Sequence, residues 1–180
     1  MNNRRDFLKK SIILGAGLTV SPYELFALRM PVDRSIKLYN AHTGEHLKAT
    51  YWSKDHFVID ELKKINHLLR DHRTGEVQNM DVKLLDLLYS IQLIRDTTKP
   101  IKVFSGYRSE KTNRKLREIS EGVAKNSFHL KAQAIDINLP GTELKNLKKL
   151  ATFLRRGGVG YYPRSGFMHI DTGPIRYWGG

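Results

Sequence analysis

The segment 81–96 constrains the fold more than any other part of the sequence. It is so rich in leucine and isoleucine that a helix formed by it must be buried around most of its circumference. Other elements must therefore pack around this helix. The chain has 180 residues, of which 40% are hydrophobic, and this is enough for one globular domain and argues against wholesale disorder.

The other predicted elements are helices early in the chain and paired strands late in it. Alternation of apolar and polar residues predicts a β-hairpin from residues 34–39 and 46–52, and further strands at 101–105, 133–138, 158–161 and 167–171. Apolar residues on one face predict helices at 57–69, 110–120 and 142–156. We therefore predict an α+β fold, with a small antiparallel sheet and helices packed on one side of it.

The N-terminus has the pattern of an export signal. Residues 4–9 read RRDFLK, a twin-arginine pattern, and the apolar run at 11–20 is shorter than the about 20 residues of a membrane span. We predict that residues 1–30 are a twin-arginine signal peptide or N-terminal anchor and that 31–180 form the functional domain. The predicted location is the periplasm, with membrane association only if the first segment is retained.

Charge and cysteine content limit the chemistry. The chain has no cysteine, which excludes disulfides, thiolate metal sites and cysteine nucleophiles. Its formal net charge of +13 favours polyanionic partners, although a surface tuned for solubility explains the charge equally well. The export signal argues against nucleic acid and leaves the cell wall and lipid head groups.

Three residues form a candidate metal site. Asp136 and His169 each occupy a polar position within a short apolar strand, and His129 precedes the first of these strands. If the strands are neighbours, the three side chains can converge as a three-ligand zinc set that leaves one position open for a water. Bound zinc lowers the pKa of such a water to about 7. Ordinary roles remain open for each residue, such as a core histidine or a carboxylate at a strand end.

Four segments resemble a known family. The stretch SFHLKAQAID at 127–136 resembles the SxHxxGxAxD signature of the zinc D-Ala-D-Ala peptidase superfamily, which includes lysostaphin-type enzymes and the hedgehog signalling domain. FSGYRS at 104–109 resembles the segment that precedes this signature. GGVGYYPR at 157–164 and FMHIDTG at 167–173 are similar to a narrower branch, a family of twin-arginine-exported murein endopeptidases.

The resemblance implies a function and a set of site residues. It implies that His129, Asp136 and His169 bind zinc and that Arg108 faces the substrate. The implied activity is hydrolysis of peptidoglycan cross-links between stem peptides, next to or between diaminopimelate residues. Two alternatives are a D-alanyl-D-alanine carboxypeptidase of the same fold and a non-catalytic zinc-binding module of the cell wall.

The sequence departs from the family pattern at two positions. Ala132 replaces the glycine of the signature, and Gly166 stands where many relatives have a carboxylate that acts as general base. We expect Asp171 to take a catalytic part, either by accepting a proton from the zinc-bound water or by orienting His169. Five histidines of the N-terminal half are further candidates for the base: His42, His46, His56, His67 and His72.

Three tyrosines are candidate hydrogen-bond donors in the site. We expect Tyr107 and Tyr161 to contact the substrate together with Arg108. Tyr162 is a further candidate donor to the transition state, and ordinary packing explains all three tyrosines equally well.

Overall fold

A computed structural model describes residues 33–120 and 122–179, so the predicted export signal lies outside the described residues. The eight strands are β1 (Arg34–Asn40), β2 (His46–Ser53), β3 (His56–Phe57), β4 (Ile101–Ser105), β5 (Ala134–Asn138), β6 (Gly158–Tyr162), β7 (Phe167–Asp171) and β8 (Arg176–Trp178). The α-helices are α1 (Ile59–Leu68), α2 (Val82–Arg95), α3 (Glu110–Ile119) and α4 (Leu144–Leu154), and a short 3-10 helix spans Phe128–Lys131. None of the described helices has the length and apolar character needed to cross a bilayer.

The strands form one mixed sheet in the order β3-β2-β1-β4-β5-β7-β6-β8. The predicted α+β class is confirmed, but the sheet is larger than the small antiparallel sheet expected. β1 and β4 pair in parallel, and the connection between them, which contains β2, β3, α1 and α2, is long enough for the crossover that this pairing needs; β8 returns parallel to β6. β3 and β8 have two and three residues, too few for an alternating pattern to reveal them.

The buried helix α2 organises the core as the sequence predicted. Asp81 begins it by accepting a hydrogen bond from the backbone N–H of Lys83 at 2.9 Å, and Asp96 ends it in the left-handed region. Eight of its residues are buried, from Leu84 to Gln92. They join one apolar core with Ile36 and the other inward residues of the central strands.

The two faces of the central strands differ, and this difference positions the site. Ile135 and Ile137 of β5 belong to the apolar core shared with α1, α2 and α4. Strand alternation places Asp136 on the opposite face. On β7, Ile170 pairs with Ile135, so His169 lies on the same face as Asp136.

Candidate metal centre

Sheet register brings Asp136 and His169 together. β5 and β7 are adjacent and antiparallel, and these two residues are directly opposite each other in the register. Directly opposed residues have Cβ atoms about 5 Å apart on one face of the sheet. The imidazole and the carboxylate therefore meet because of the pairing of two five-residue strands.

His129 reaches the same point from the short 3-10 helix that precedes β5. Ser127 begins this turn by accepting a hydrogen bond from the backbone N–H of His129 at 3.3 Å. Ala132 ends it with a φ of +53°, which redirects the chain into β5. The side chain of His129 is buried, with an exposed fraction of 3%.

The donor atoms of the three side chains converge. His129 Nε2 lies 3.2 Å from His169 Nδ1, and both lie close to Asp136 Oδ1, at 3.3 and 2.9 Å respectively. A tetrahedral ion with bonds of about 2.0–2.1 Å would separate such ligands by about 3.3 Å. The spacing of this donor set therefore fits a single zinc-sized cation.

The opposite ring nitrogens are fixed by acceptors. His129 Nδ1 donates to the backbone carbonyl of Gly106 at 2.7 Å, and His169 Nε2 donates to Asp171 Oδ2 at 2.9 Å. Because a carbonyl and a carboxylate only accept, these contacts place the proton of each neutral ring on its outer nitrogen. The inner nitrogens then direct lone pairs at Asp136, an arrangement that a cation stabilises.

Protonation equilibria in the cluster reflect burial and charge. Burial lowers the pKa of His129, although the adjacent Asp136 opposes the effect. Burial also disfavours charge on His169, but hydrogen bonds with Asp136 and Asp171 raise its pKa above the usual value. Against its burial, the two imidazoles hold the pKa of Asp136 well below its usual range. Asp136 is thus an anionic ligand at neutral pH.

Asp171 is completely buried and its oxygens are occupied. Oδ1 accepts from the backbone N–H groups of Gly158 and Gly173 at 3.1 and 2.9 Å, and Arg176 donates to both oxygens. Oδ2 also accepts from His169. Although burial opposes ionisation, these donors lower the pKa of Asp171 to about 2. Of the two roles expected from the sequence, this environment fits orientation of His169 better than proton acceptance.

Arg108 lies beside the cluster. Its Nη2 is 3.6 Å from Asp136 Oδ2, and long hydrogen bonds of 3.3 and 3.5 Å reach Ser105 and Asn113. Its buried Nε has no hydrogen-bond partner among the described residues. The guanidinium therefore retains donors for an oxygen of a ligand.

The cluster opens into a cleft of about 730 Å³. Arg108, Tyr162 and Trp178 line this cleft together with the three converging side chains. A cleft of this volume can accommodate a short peptide.

Two predicted substrate contacts are not brought into the cleft. Tyr161 pairs with Met168 on the core side of the sheet, and the ammonium group of Lys148 lies 4.7 Å from its ring centroid. Tyr107 packs against the core, and burial raises its pKa. Because side chains alternate along β6, the tyrosine on the cleft side is Tyr162.

Trp178 and Arg176 also line the cleft, and the sequence analysis assigned them no role. The indole of Trp178 lies 5.3 Å from the imidazole of His169, between ring centroids. Gly160 provides space for it, since a Cβ there would come within 2.6 Å of the indole ring. The available signal was the cluster of basic and aromatic residues at 176–178.

Both departures from the family signature lie at positions with a positive φ, which favours glycine and gives no reason for the alanine at 132. Ala132 has a φ of +53° and Gly166 a φ of +71°, so each occupies a backbone conformation that glycine adopts most readily. Gly166 closes the turn between β6 and β7, where its carbonyl accepts a hydrogen bond from Asn138. Neither Gly166 nor any of the five N-terminal histidines lines the cleft.

Comparisons with known proteins agree on one family. A family model described as "Peptidoglycan L,D-endopeptidase MepK" matches residues 29–178. The chain is similar to proteins named "Peptidoglycan L,D-endopeptidase MepK" from Escherichia coli and Shigella flexneri, each 45% identical over 177 residues, or 98% of this chain and 97% of the relative. A "Probable peptidoglycan L,D-endopeptidase MepK" from Haemophilus influenzae is 41% identical over 180 residues, 99% of this chain and 96% of that protein.

Proposed function

The chain belongs to the peptidoglycan L,D-endopeptidase MepK family, and from this membership we propose that it is an exported zinc metallopeptidase that hydrolyses peptide cross-links of peptidoglycan. The resemblance to the murein endopeptidase K branch of the zinc D-Ala-D-Ala peptidases is confirmed, and the protein is a peptidase. The observation that carries the proposal is the convergence of His129, Asp136 and His169 at the base of a peptide-sized cleft.

The three converging side chains would hold the metal. His129 would contribute Nε2, His169 Nδ1 and Asp136 Oδ1, the atoms that lie closest to one another. When bound there, zinc supplies a Lewis acid for the scissile carbonyl and lowers the pKa of a coordinated water to about 7. The carbonyl of Gly106 and the carboxylate of Asp171 keep the two imidazoles in the tautomers that binding requires.

Asp171 is a positioning residue in this proposal. Its oxygens are already shared among His169, Arg176 and backbone N–H groups, so a proton from an attacking water finds no free lone pair of suitable geometry. Its negative charge raises the basicity of His169 and fixes the ring plane.

Arg108 binds a substrate oxygen next to the metal centre. Its long hydrogen bonds and its unpartnered buried Nε leave donor capacity, and its contact with Asp136 directs the guanidinium toward the cluster. A guanidinium at this position stabilises negative charge that develops on the scissile carbonyl oxygen.

The proposed substrate is a cross-linked pair of stem peptides, cut next to or between diaminopimelate residues. Two observations support it: the curated relatives are named peptidoglycan L,D-endopeptidases, and Arg108 lines the cleft beside the candidate metal site. Stem peptides carry free carboxylates, which arginines bind well.

Digestion of purified muropeptides tests this function. Zinc-loaded protein should convert cross-linked dimers into monomers, and a chelator should abolish the conversion until zinc is restored. Shortening of monomer stems without loss of dimers would instead indicate a D-alanyl-D-alanine carboxypeptidase. Binding to the cell wall with no turnover would indicate the non-catalytic module.

We extend the proposal to the destination of the protein. Residues 1–30 act as a twin-arginine signal or anchor, residues 31–180 form the peptidase domain, and the protein works in the periplasm, where its substrate is found. The basic pair Arg4-Arg5 and the apolar run after it support this assignment. Replacement of both arginines by lysine should leave the protein in the cytoplasmic fraction. Periplasmic recovery equal to the wild type would contradict the route.

A further inference from the structure

We propose that Tyr162, held in place by Trp178, is a specificity-determining residue that anchors the peptide substrate through a hydrogen bond donated by its hydroxyl group. This inference rests on the proposed function, because the anchored group belongs to a peptide bound in the same cleft. It assigns a role to the side of the cleft formed by β6 and β8.

The register of β6 and β7 sets the distance between the anchor and the metal centre. Gly160 is opposite His169, and Tyr162 is opposite Phe167, on the same face of the sheet. Two residues of a strand span about 6.6 Å. Tyr162 therefore meets a substrate group one or two residues from the scissile bond, and this distance assigns it a role in binding.

The hydrogen bond between Trp178 and Tyr162 determines what the hydroxyl group can do. Trp178 Nε1 lies 2.8 Å from the hydroxyl oxygen of Tyr162. Since an indole N–H only donates, the hydroxyl is the acceptor in this contact and keeps its own proton for another partner. Within residues 33–120 and 122–179, the hydroxyl makes no second hydrogen bond to a protein acceptor. Tyr162 lines the cleft, so the available proton suits an oxygen atom of a ligand.

Contacts with neighbouring side chains hold both rings in place. The ring of Tyr162 stacks on that of Phe167 with centroids 4.9 Å apart. The guanidinium of Arg176 lies 4.9 Å from the centroid of Trp178 and is paired with Asp171. The same buried carboxylate thus fixes His169 on one side and, through Arg176, Trp178 on the other. A donor held this firmly loses little freedom on binding, so its hydrogen bond contributes more to affinity.

The chemistry of the anchored group follows from the donor and its surroundings. A neutral hydroxyl donates to a carbonyl or carboxylate oxygen, and both occur along a stem peptide. The flat face of Trp178 offers apolar contact to the aliphatic part of a neighbouring side chain. Tyr162 and Trp178 together therefore select a peptide with an acceptor oxygen at a fixed distance from the scissile bond.

Kinetics of Tyr162→Phe test the anchor. This substitution removes the hydroxyl and keeps the ring, so we expect KM for a cross-linked muropeptide dimer to rise about 5- to 10-fold with kcat within about twofold of wild type. The dissociation constant of the dimer with zinc-free protein, measured by calorimetry, should rise by a similar factor. Tyr161→Phe is the matched control and should change neither quantity, because Tyr161 is on the core side of β6.

A double-mutant cycle tests the partnership. Trp178→Phe removes the N–H group that donates to Tyr162. The increase in KM of the double variant Tyr162→Phe/Trp178→Phe should be smaller than the product of the increases in the two single variants. Unchanged KM and dissociation constant in Tyr162→Phe would overturn the anchor, and so would a loss confined to kcat. If wild type binds dimers without turnover while Tyr162→Phe still weakens binding, the anchor stands and the proposed peptidase function fails.

Discussion

The two histidines of the metal centre differ from the five of the N-terminal half in what their ring nitrogens meet. His129 and His169 each donate from an outer nitrogen to a buried acceptor and direct the inner one at Asp136. In the N-terminal half, His42 stacks on His72 with centroids 4.0 Å apart, and the other three lie at or near the surface. Each of the two candidate ligands has a partner at both ring nitrogens, and no such pair of contacts is present at the other five described histidines.

Protonation does not divide the histidines in the same way, because burial lowers the pKa of His129 as it lowers that of His72. Burial, together with neighbouring His42 and Arg73, lowers the pKa of His72 to about 4, so this ring is neutral at physiological pH. The two carboxylates around His169 raise its pKa despite burial. The two candidate ligands therefore differ from each other in pKa, although both contact Asp136.

Substitution of one histidine from each group should give the largest contrast. We expect His129→Ala to reduce the rate of dimer cleavage by at least about 10³-fold, since it removes one of the three proposed ligands of the zinc ion. His72→Ala should stay within about twofold of wild type. Muropeptide chromatography measures both rates. Comparable losses in the two variants would contradict the distinction.

Substitutions at two buried aspartates extend the comparison between the candidate metal centre and the N-terminal half. Asp171→Asn keeps the shape of the side chain but removes the charge next to His169, so zinc affinity should fall about 10- to 100-fold. Asp71→Asn, in the N-terminal half, should leave zinc affinity unchanged. Competition with a chromophoric chelator measures both affinities. An unchanged affinity in Asp171→Asn would show that the carboxylate does not act through the imidazole.

Asp71 should instead affect stability. It accepts hydrogen bonds from the backbone N–H and hydroxyl of Ser109 at 2.9 and 2.7 Å, next to Arg108. We expect Asp71→Ala to lower the free energy of unfolding by about 1–3 kcal/mol, because it leaves these buried donors without an acceptor. Urea denaturation at pH 7 measures the change. A loss below about 0.5 kcal/mol would show that the carboxylate is dispensable there.

The stabilisation by Asp71 should also depend on pH. Burial opposes its ionisation, but hydrogen bonds from Thr112 and Ser109 hold its folded-state pKa well below the usual value of about 3.9. A carboxylate whose pKa is lower in the folded than in the unfolded state stabilises the fold at pH values above its unfolded-state pKa. This stabilisation is lost as the pH falls toward the folded-state pKa. The stability difference between wild type and Asp71→Asn should therefore be constant above about pH 5 and shrink below about pH 4. A stability difference between the two proteins that grows as the pH falls would contradict this prediction.

Ala132→Gly should have the smallest effect. Relief of the left-handed conformation is worth about 1–2 kcal/mol. Loss of a buried methyl group costs about 0.8 kcal/mol, and the greater backbone freedom of glycine costs about 0.5–1 kcal/mol. The terms nearly cancel, so the free energy of unfolding should change by less than about 0.5 kcal/mol in thermal or urea denaturation. A loss above about 2 kcal/mol would mean that the methyl group is essential to packing behind His129.

Sequence periodicity predicted the elements well and their arrangement less well. The apolar helix at 81–96 and the central strands carry strong local patterns. The parallel pairing of β1 with β4 depends on which segments pack together, and no local pattern reports that. The sequence placed Tyr161 rather than Tyr162 at the substrate. These neighbours lie on opposite faces of β6, and only the pairing of β6 with β7 shows which face borders the cleft.

The candidate site also has some features that a local sequence pattern reveals and others that depend on tertiary structure. Asp136 and His169 were recognisable as polar residues within short apolar strands and His129 as the residue that precedes them, but their role as metal ligands followed from the family resemblance. The partners that orient them were not recognisable, because the carbonyl of Gly106 carries no side-chain signal. The role of Arg176 could not be predicted either, since it reaches Asp171 from a separate strand. Sequence patterns therefore reveal ligand types, and tertiary structure reveals how ligands are held.

The most direct test of the metal centre is the zinc affinity of four proteins measured side by side at neutral pH: wild type, His129→Ala, Asp136→Ala and His169→Ala. If these three side chains share one ion, wild type binds one equivalent of zinc, and each variant binds it at least about 100-fold more weakly. Any single variant that retains one equivalent with the affinity of wild type would contradict the shared site.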